Sequence, residues 1–288
     1  HVQVVLTFLK VMMIATIDFG CFFLSPGVTG GFATPEGWSG FTLSAFGAAT
    51  MAALWAYDGW NNLPMASGEV HDAQKNVPRA LVMGTVLILV IYGAVNLAYF
   101  KVLPFSEILS AANPTDKARM SVATQASKTF LGDAGIAFLS IAMVISALGA
   151  MHGSILTSAR VPFAMAKEKL FIPVLAYVHP KTHSPIVAIL VQGVWACVLA
   201  ASGSFDQLTD YVVFGAWVFY AMCGYAVIVL RKKRPDAPRT YKVPGYPVLP
   251  IVFVAVATWL LINTLVTSPR ESGIGLMIIG AGVPVYYF

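Results

Sequence analysis

Apolar residues along this chain come in runs of about 18–25, each long enough to cross a bilayer. The runs fall near 3–24, 42–67, 78–103, 134–165, 185–203, 208–230, 248–266 and 272–288. The pattern predicts an all-α polytopic membrane protein with about eight transmembrane helices. Turn-forming residues mark the joints: Ser25-Pro26-Gly27, Thr34-Pro35-Glu36-Gly37, Asn113-Pro114, His179-Pro180-Lys181, Ser202-Gly203-Ser204 and Arg234-Pro235-Asp236. The connection 104–133 is long and polar, and a short helix near 118–131 is expected to lie on the surface as a lid.

One run does not read as a continuous helix. In the middle of 42–67 stands Leu54-Trp55-Ala56-Tyr57-Asp58-Gly59-Trp60-Asn61-Asn62-Leu63-Pro64. Asn61 and Asn62 are poor helix formers and Gly59 is worse. Pro64 has no N–H to offer the carbonyl of Trp60. Within hydrocarbon such an interruption survives only where the freed backbone groups face protein, water or a ligand. Two half-helices meeting at mid-membrane, with polar and aromatic residues at the junction, are what a small-solute transporter needs.

Composition agrees: the 288 residues are 58% hydrophobic and 11% charged, about half the charge of a soluble domain. The chain starts at His1 rather than Met and is apolar by Val4, so residues before it are expected to be missing; no signal peptide is visible. Cys21, Cys197 and Cys223 sit in apolar runs without metal or disulfide spacing and read as small buried hydrophobes. The net charge of +5 belongs to the loops, where the basic residues lack aromatic interleaving, and nucleic acid is not an expected partner. Alternate loops differ in Lys and Arg. One side holds twelve (Lys75, Arg79, Arg160, Lys167, Lys169, Lys181, Arg231, Lys232, Lys233, Arg234, Arg239, Lys242) and the other five (Lys101, Lys117, Arg119, Lys128, Arg270). The richer side, with the N-terminal end of the first span, is expected in the cytoplasm. The basic run 231–242 reads as a topology anchor at an anionic leaflet.

Ionisable groups inside the spans are functional candidates because burying them is costly. Lys10 lies about eight residues into the first span, roughly 12 Å from its end. Two readings stand: a lysine snorkelling to the head groups, and a fixed cation inside the bundle holding carbonyls of broken helices. Asp58 either caps a half-helix N-terminus or meets a substrate ammonium or a coupled proton. Asn61 or Asn62 is placed to cap the restarting helix, with Pro64 in its first turn. The carbonyls from Leu54 to Asp58 end a half-helix and suit an α-ammonium group. Trp55, Tyr57 and Trp60, three aromatics within six residues, fit gate or pocket-wall roles. The fourth span carries Ser146, Gly149, Ala150, Gly153, Ser154, Thr157 and Ser158, small residues that let another helix approach. Ser154 is its best candidate for more. His152 is either a neutral histidine bonded to a neighbour or a proton relay. Glu69 lies close enough to its span to serve an inner gate.

These residues together resemble the amino acid–polyamine–organocation superfamily, in its L-type amino acid transporter branch with the bacterial serine/threonine-exchanger-like relatives. The likeness is carried by Val2-Gln3 with Thr7 and Lys10, by Trp55 through Asn61, by Gly68-Glu69-Val70 and by Lys75-Asn76-Val77-Pro78-Arg79-Ala80. It continues in Asn96 through Phe100, Gly153 through Arg160, His179-Pro180, Lys242-Val243-Pro244, Gly273-Ile274-Gly275 and Gly282 through Tyr286, and covers essentially the whole chain. The resemblance implies a leucine-transporter-type inverted-repeat fold of twelve helices. The chain would supply helices five to twelve as a single domain, 1–288, with the first four missing. It implies that 42–67 is the broken sixth helix, with Trp55 at the aromatic gate and Ala56, Tyr57, Asp58, Gly59, Trp60 and Asn61 at the turn holding the substrate α-amino group. It implies that Lys10 stands in for the second sodium ion of sodium-dependent members, and that Ser154 faces the site. Asp58, a glycine in many animal members, points to a bacterial-type transporter.

The expectation is a multi-pass protein of the cell membrane that exchanges neutral amino acids without sodium by alternating access. An amino acid and the lipid bilayer are its partners, with no protein partner inferable. No cofactor or metal is expected, and no nucleophile–base pair marks an enzyme. The alternatives are a proton-coupled amino acid or polyamine symporter using Asp58, Glu69 or His152, and a non-transporting amino acid sensor.

Overall fold

The computed structural model describes residues 2–28, 40, 42–111, 120–239 and 241–287. The loop signals Thr34-Pro35-Glu36-Gly37 and Asn113-Pro114, with Lys117 and Arg119, lie outside them. Every described element is helical. In chain order these are α1 (Val2–Phe19), α2 (Leu43–Ala56), α3 (Asn62–Met65), α4 (Ala73–Val102), α5 (Phe105–Ala111), α6 (Val122–Leu131), α7 (Ala134–Ser158), α8 (Arg160–Lys167), α9 (Ile186–Ser202), α10 (Phe205–Lys233), α11 (Val248–Thr267) and α12 (Pro269–Tyr287). A π-helical turn, Gly20–Leu24, extends α1, and 3-10 turns occupy Ser67–Glu69 and Pro173–Ala176.

All eight apolar runs carry helix. Five stretches among the described residues are long and apolar enough to cross a membrane: Val2–Leu24, Ala73–Val102, Ala134–Lys167, Tyr211–Lys233 and Val248–Thr267. Leu43–Ala56 and Ile186–Ser202 are apolar but shorter. Large apolar side chains cover the outsides, as on α4 at Val82, Met83, Val86, Leu87, Ile88, Leu89 and Val90. Such surfaces suit hydrocarbon rather than water, where apolar patches of this extent draw molecules together.

The chain divides into two compact units, residues 1–40 with 82–154, and residues 41–81 with 155–288. The first is built on Ile17, Cys21, Ala98, Val102, Leu103, Ala126 and Leu139. Here α6 is more than a loose surface lid. Ala126 and Ser127 are fully buried, and Ser25 Oγ of the turn after α1 shares a 2.6 Å hydrogen bond with Thr129 Oγ1. The π turn leaves carbonyls off the regular ladder, and the Lys101 ammonium donates to that of Phe22.

In the second unit Met51, Val213 and Leu260 form a core with Leu54, Trp217 and Trp259, joining α2, α10 and α11. A Cβ on Gly47 would stand 2.6 Å from Asn263 Nδ2, so α2 and α11 meet there at glycine distance, and Asn263 Nδ2 donates to Ser44 O at 3.3 Å. A second cluster in this unit, Ala159, Ala166, Leu175 and Ala188, seats α8 and α9 around the 3-10 turn.

Candidate substrate site

The interruption between α2 and α3 is built from short-range chemistry. Thr42 starts α2, its Oγ1 accepting from Ala45 N at 3.2 Å, a side-chain cap. At the other end the ladder tightens: Tyr57 N–H reaches Leu54 O at 3.2 Å and Asp58 N–H reaches Trp55 O at 3.1 Å. Gly59 then takes φ +108°, in the region that L side chains rarely enter. The chain restarts with Asn62 N–H on Gly59 O at 3.2 Å. Pro64 is the third residue of α3, where its missing N–H costs no ladder bond. The turn at Gly59, not the proline, makes the break.

The expected asparagine cap is absent. Asn61 holds the N-cap position of α3 in a helical conformation and makes no capping hydrogen bond, and a cap needs an extended backbone to turn its side chain onto the first N–H groups. Asn61 Oδ1 is buried without a partner among the described residues. Asn62 Oδ1 instead accepts from Thr157 Oγ1 of α7 at 3.0 Å.

Asp58 caps no helix here either. It accepts a 2.9 Å hydrogen bond from the Tyr220 hydroxyl of α10. Tyr220 packs 5.0 Å from the Trp60 ring and 5.8 Å from Trp217, edge-on to the latter. Trp55 and Trp60 remain 37% and 44% exposed, and Ala56 and Asp58 are exposed beside them while Tyr57 is half-buried. The junction is therefore an open turn with one carboxylate already tethered. Tyr220 was not singled out from the sequence. Its only signal is an aromatic with a polar tip, one turn after Trp217 in an apolar span, a pattern that commonly buries the ring and directs the hydroxyl to a partner.

In the first unit, α1 lies across the small-residue stripe of α7. Gln3 and Lys10, two turns apart, share a face of α1. Gln3 Nε2 donates to Gly149 O at 3.3 Å. A Cβ on Gly149 would stand 3.0 Å from Lys10 Cε and 3.1 Å from its Nζ, so the half-buried Lys10 runs over a place that only glycine leaves free. His152 Nδ1 lies 3.2 Å from Gln3 Oε1. The amide oxygen can only accept, so this pairing sets the imidazole proton on Nδ1. A Cβ on Gly153 would stand 3.5 Å from Gln3 Nε2, and Ser154 is exposed.

Glu69, at the end of the 3-10 turn after α3, forms an ion pair with Arg160 at the start of α8. Arg160 also donates through Nε to Leu156 O at 3.0 Å. Next to it Gln192 of α9 donates to Ser158 Oγ at 2.7 Å. The second half of the broken span is thus tied to the α7–α8 junction through Asn62–Thr157 and Glu69–Arg160.

Apolar helices in membrane-length stretches, one of them opened at a glycine turn flanked by exposed tryptophans, define a multi-pass integral membrane protein. The chain belongs to the amino acid permease family, whose profile matches residues 1–283. It is 35% identical over 244 residues to the serine/threonine exchanger SteT of Bacillus subtilis, covering 84% of this chain and 54% of that protein. It is 28% identical over 293 residues to the b(0,+)-type amino acid transporter 1 of Mus musculus, covering 100% and 57%. Identity to the large neutral amino acids transporter small subunit 2 of Mus musculus is 34% over 239 residues, covering 83% and 43%. The likeness to the L-type branch and its bacterial exchanger relatives holds at this level. The chain spans about half the length of the curated relatives it matches.

Proposed function

We propose that the protein is a sodium-independent exchanger of neutral amino acids working by alternating access, and that this chain supplies helices five to twelve of its single transport domain. The observation that carries the reading is the open turn at Gly59. The half-helix ending at Ala56 points the negative end of its dipole at the turn, beside exposed Trp55 and Trp60. That end takes the substrate ammonium, with Ala56, Tyr57, Gly59 and Asn61 forming the turn around it. Trp55 closes over the side chain. Asp58, held by Tyr220, shapes the turn. Lys10, laid on Gly149, couples α1 to α7, with Ser154 and His152 on the same helix. Glu69 acts at the inner gate through Arg160. The Lys- and Arg-rich loops face the cytoplasm, and the N-terminal end of α1 lies on that side.

The test is uptake of labelled serine and leucine by the purified protein in sodium-free liposomes. Uptake is expected only when unlabelled amino acid is loaded inside. Uptake into empty vesicles driven by an imposed pH gradient would replace exchange with proton symport. Binding without flux would replace it with sensing.

A further inference from the structure

A cavity of about 270 Å³ lies in the second unit among α2, α10, α11 and α12. Water occupies about 30 Å³ per molecule, so the space holds about nine waters or one small organic molecule. One wall is apolar and aromatic, with Met51, Trp55 and Phe214. The polar lining is Thr209, Thr264, Thr267, Ser268 and Glu271.

Two of these hydroxyls are fixed as acceptors. Thr264 Oγ1 gives its proton to Leu260 O at 2.9 Å and Thr267 Oγ1 gives its own to Asn263 O at 2.9 Å. Each hydroxyl therefore offers lone pairs only. Glu271, half-buried, makes no hydrogen bond or ion pair with any described residue. Its backbone position is firm: neighbouring Ser272 is fully buried, and its Oγ contacts Ser268 O at 2.9 Å and Thr264 O at 3.2 Å. No Lys, Arg or His is among the described residues that line the cavity. A half-buried carboxylate with two acceptor hydroxyls calls for a cationic donor. A zwitterion would bring a second carboxylate beside Glu271, with no cation among the described lining residues to pair it. Trp55 in the lining is the aromatic side chain that cations favour most.

We propose that this cavity is a second binding site, for a primary ammonium group carrying an apolar body, separate from the turn at Gly59 and sharing only the Trp55 wall with it. The ammonium sits on Glu271, Thr264 and Thr267. The apolar body lies along Met51 and Phe214, where it restrains Trp55. The proposal stands whether or not the protein exchanges amino acids, because its test is binding and not flux.

The experiment measures saturable binding of labelled phenethylamine to the purified protein in phosphatidylcholine nanodiscs. Glu271→Gln, close in shape, should weaken binding at least about tenfold, or 1.4 kcal/mol. Met51→Trp, which fills the cavity and leaves the carboxylate, should abolish it. Phenylalanine, the same side chain with a carboxylate added, should not displace the amine. Adding phosphatidylethanolamine separates two sources of the same chemistry. Loss of phenethylamine binding marks the lipid headgroup as the resident ammonium, and unchanged binding marks a free amine. No saturable binding, binding that survives both substitutions, or equal displacement by phenylalanine overturns the proposal.

Discussion

Among the helices with a proline near the start, α4 and the span broken between α2 and α3 differ, and of these two only the second is open. α4 runs 30 residues through Pro78 without interruption, whereas α2 stops at Ala56 and the chain does not resume helix until Asn62, with Pro64 just beyond. Pro78 removes one donor near the beginning of a long ladder, and the helix carries the loss. In the broken span the ladder ends for a different reason. Gly59 turns into the left-handed region, and the side chain of Asn62 is drawn to Thr157 rather than to the ladder. The polar residues follow the backbone. Asp58, Asn61 and Asn62 crowd the open turn, while α4 between Val82 and Val90 exposes mainly large apolar residues to lipid. In this molecule α4 is apolar and continuous, and the span opened at Gly59 gathers polar and aromatic residues at its turn.

The sharpest way to break that comparison is to exchange the two behaviours. Gly59→Val forces a β-branched residue toward φ +108°, at a cost of about 3 kcal/mol. Exchange in proteoliposomes should fall about a hundredfold and the thermal midpoint should drop. Gly84→Ala in α4 has nothing within 4 Å of the new Cβ. It should leave exchange unchanged and raise stability by about 0.5–1 kcal/mol. Equal effects at the two glycines would mean that the turn at Gly59 is not the functional element.

Next in size is a continuous helix that carries a charge. Lys10→Ala should lower exchange more than about tenfold, some 1.4 kcal/mol of activation free energy, with expression and monodispersity intact. Gly149→Ala, which puts a methyl 3.0 Å from Lys10 Cε, should give a smaller loss in the same direction. If Lys10→Ala exchanges normally, the lysine only snorkels, and function is confined to the broken span.

Much of this was legible in the sequence because spans and their interruption are local. Apolar run length placed all eight segments, and the low helix propensity of Gly59-Trp60-Asn61-Asn62 located the break to within a residue or two. The small-residue stripe at Gly149 and Gly153 foretold a close helix neighbour, but not that α1 would fill it with Gln3 and Lys10. Partners that act at a distance left no pattern. Tyr220 is 162 residues from Asp58 and Arg160 is 91 residues from Glu69, and no periodicity links positions so far apart. The π turn at Gly20–Leu24 was equally hidden, since a one-residue slip in the ladder has no composition of its own. The cap expected from Asn61 or Asn62 failed because the restart is too short and too tightly turned to extend the N-cap residue.

A smaller effect tests whether the open turn needs its tether. Tyr220→Phe removes one hydrogen bond to the Asp58 carboxylate and keeps the ring beside Trp60. Loss of a hydrogen bond to a charged group costs about 1.5 kcal/mol when buried. Asp58 is exposed, so solvent replaces part of it, and a few-fold rise in the apparent KM for substrate is expected with little change in maximal rate. A fall in maximal rate at unchanged KM would show that the tether sets the motion rather than the shape of the turn.

The smallest expected effect is at Glu69 and Arg160, where the second half of the broken span is fastened. Glu69 is 65% exposed and Arg160 28% exposed. Exposed pairs contribute about 0.2–1 kcal/mol, so Glu69→Gln and Arg160→Gln should each shift the thermal midpoint by only a degree or two. A double-mutant cycle separates packing from coupling. If the pair fastens the half-helix, exchange should change by similar modest factors in both single variants and by no more in the double variant. Glu69→Arg should harm exchange further, and adding Arg160→Glu should restore part of it. Additive effects would shift the fastening to the Asn62–Thr157 hydrogen bond between α3 and α7. In that case Thr157→Val should cost more than either charge substitution, because it leaves Asn62 Oδ1 without its donor on a side chain that is half-buried.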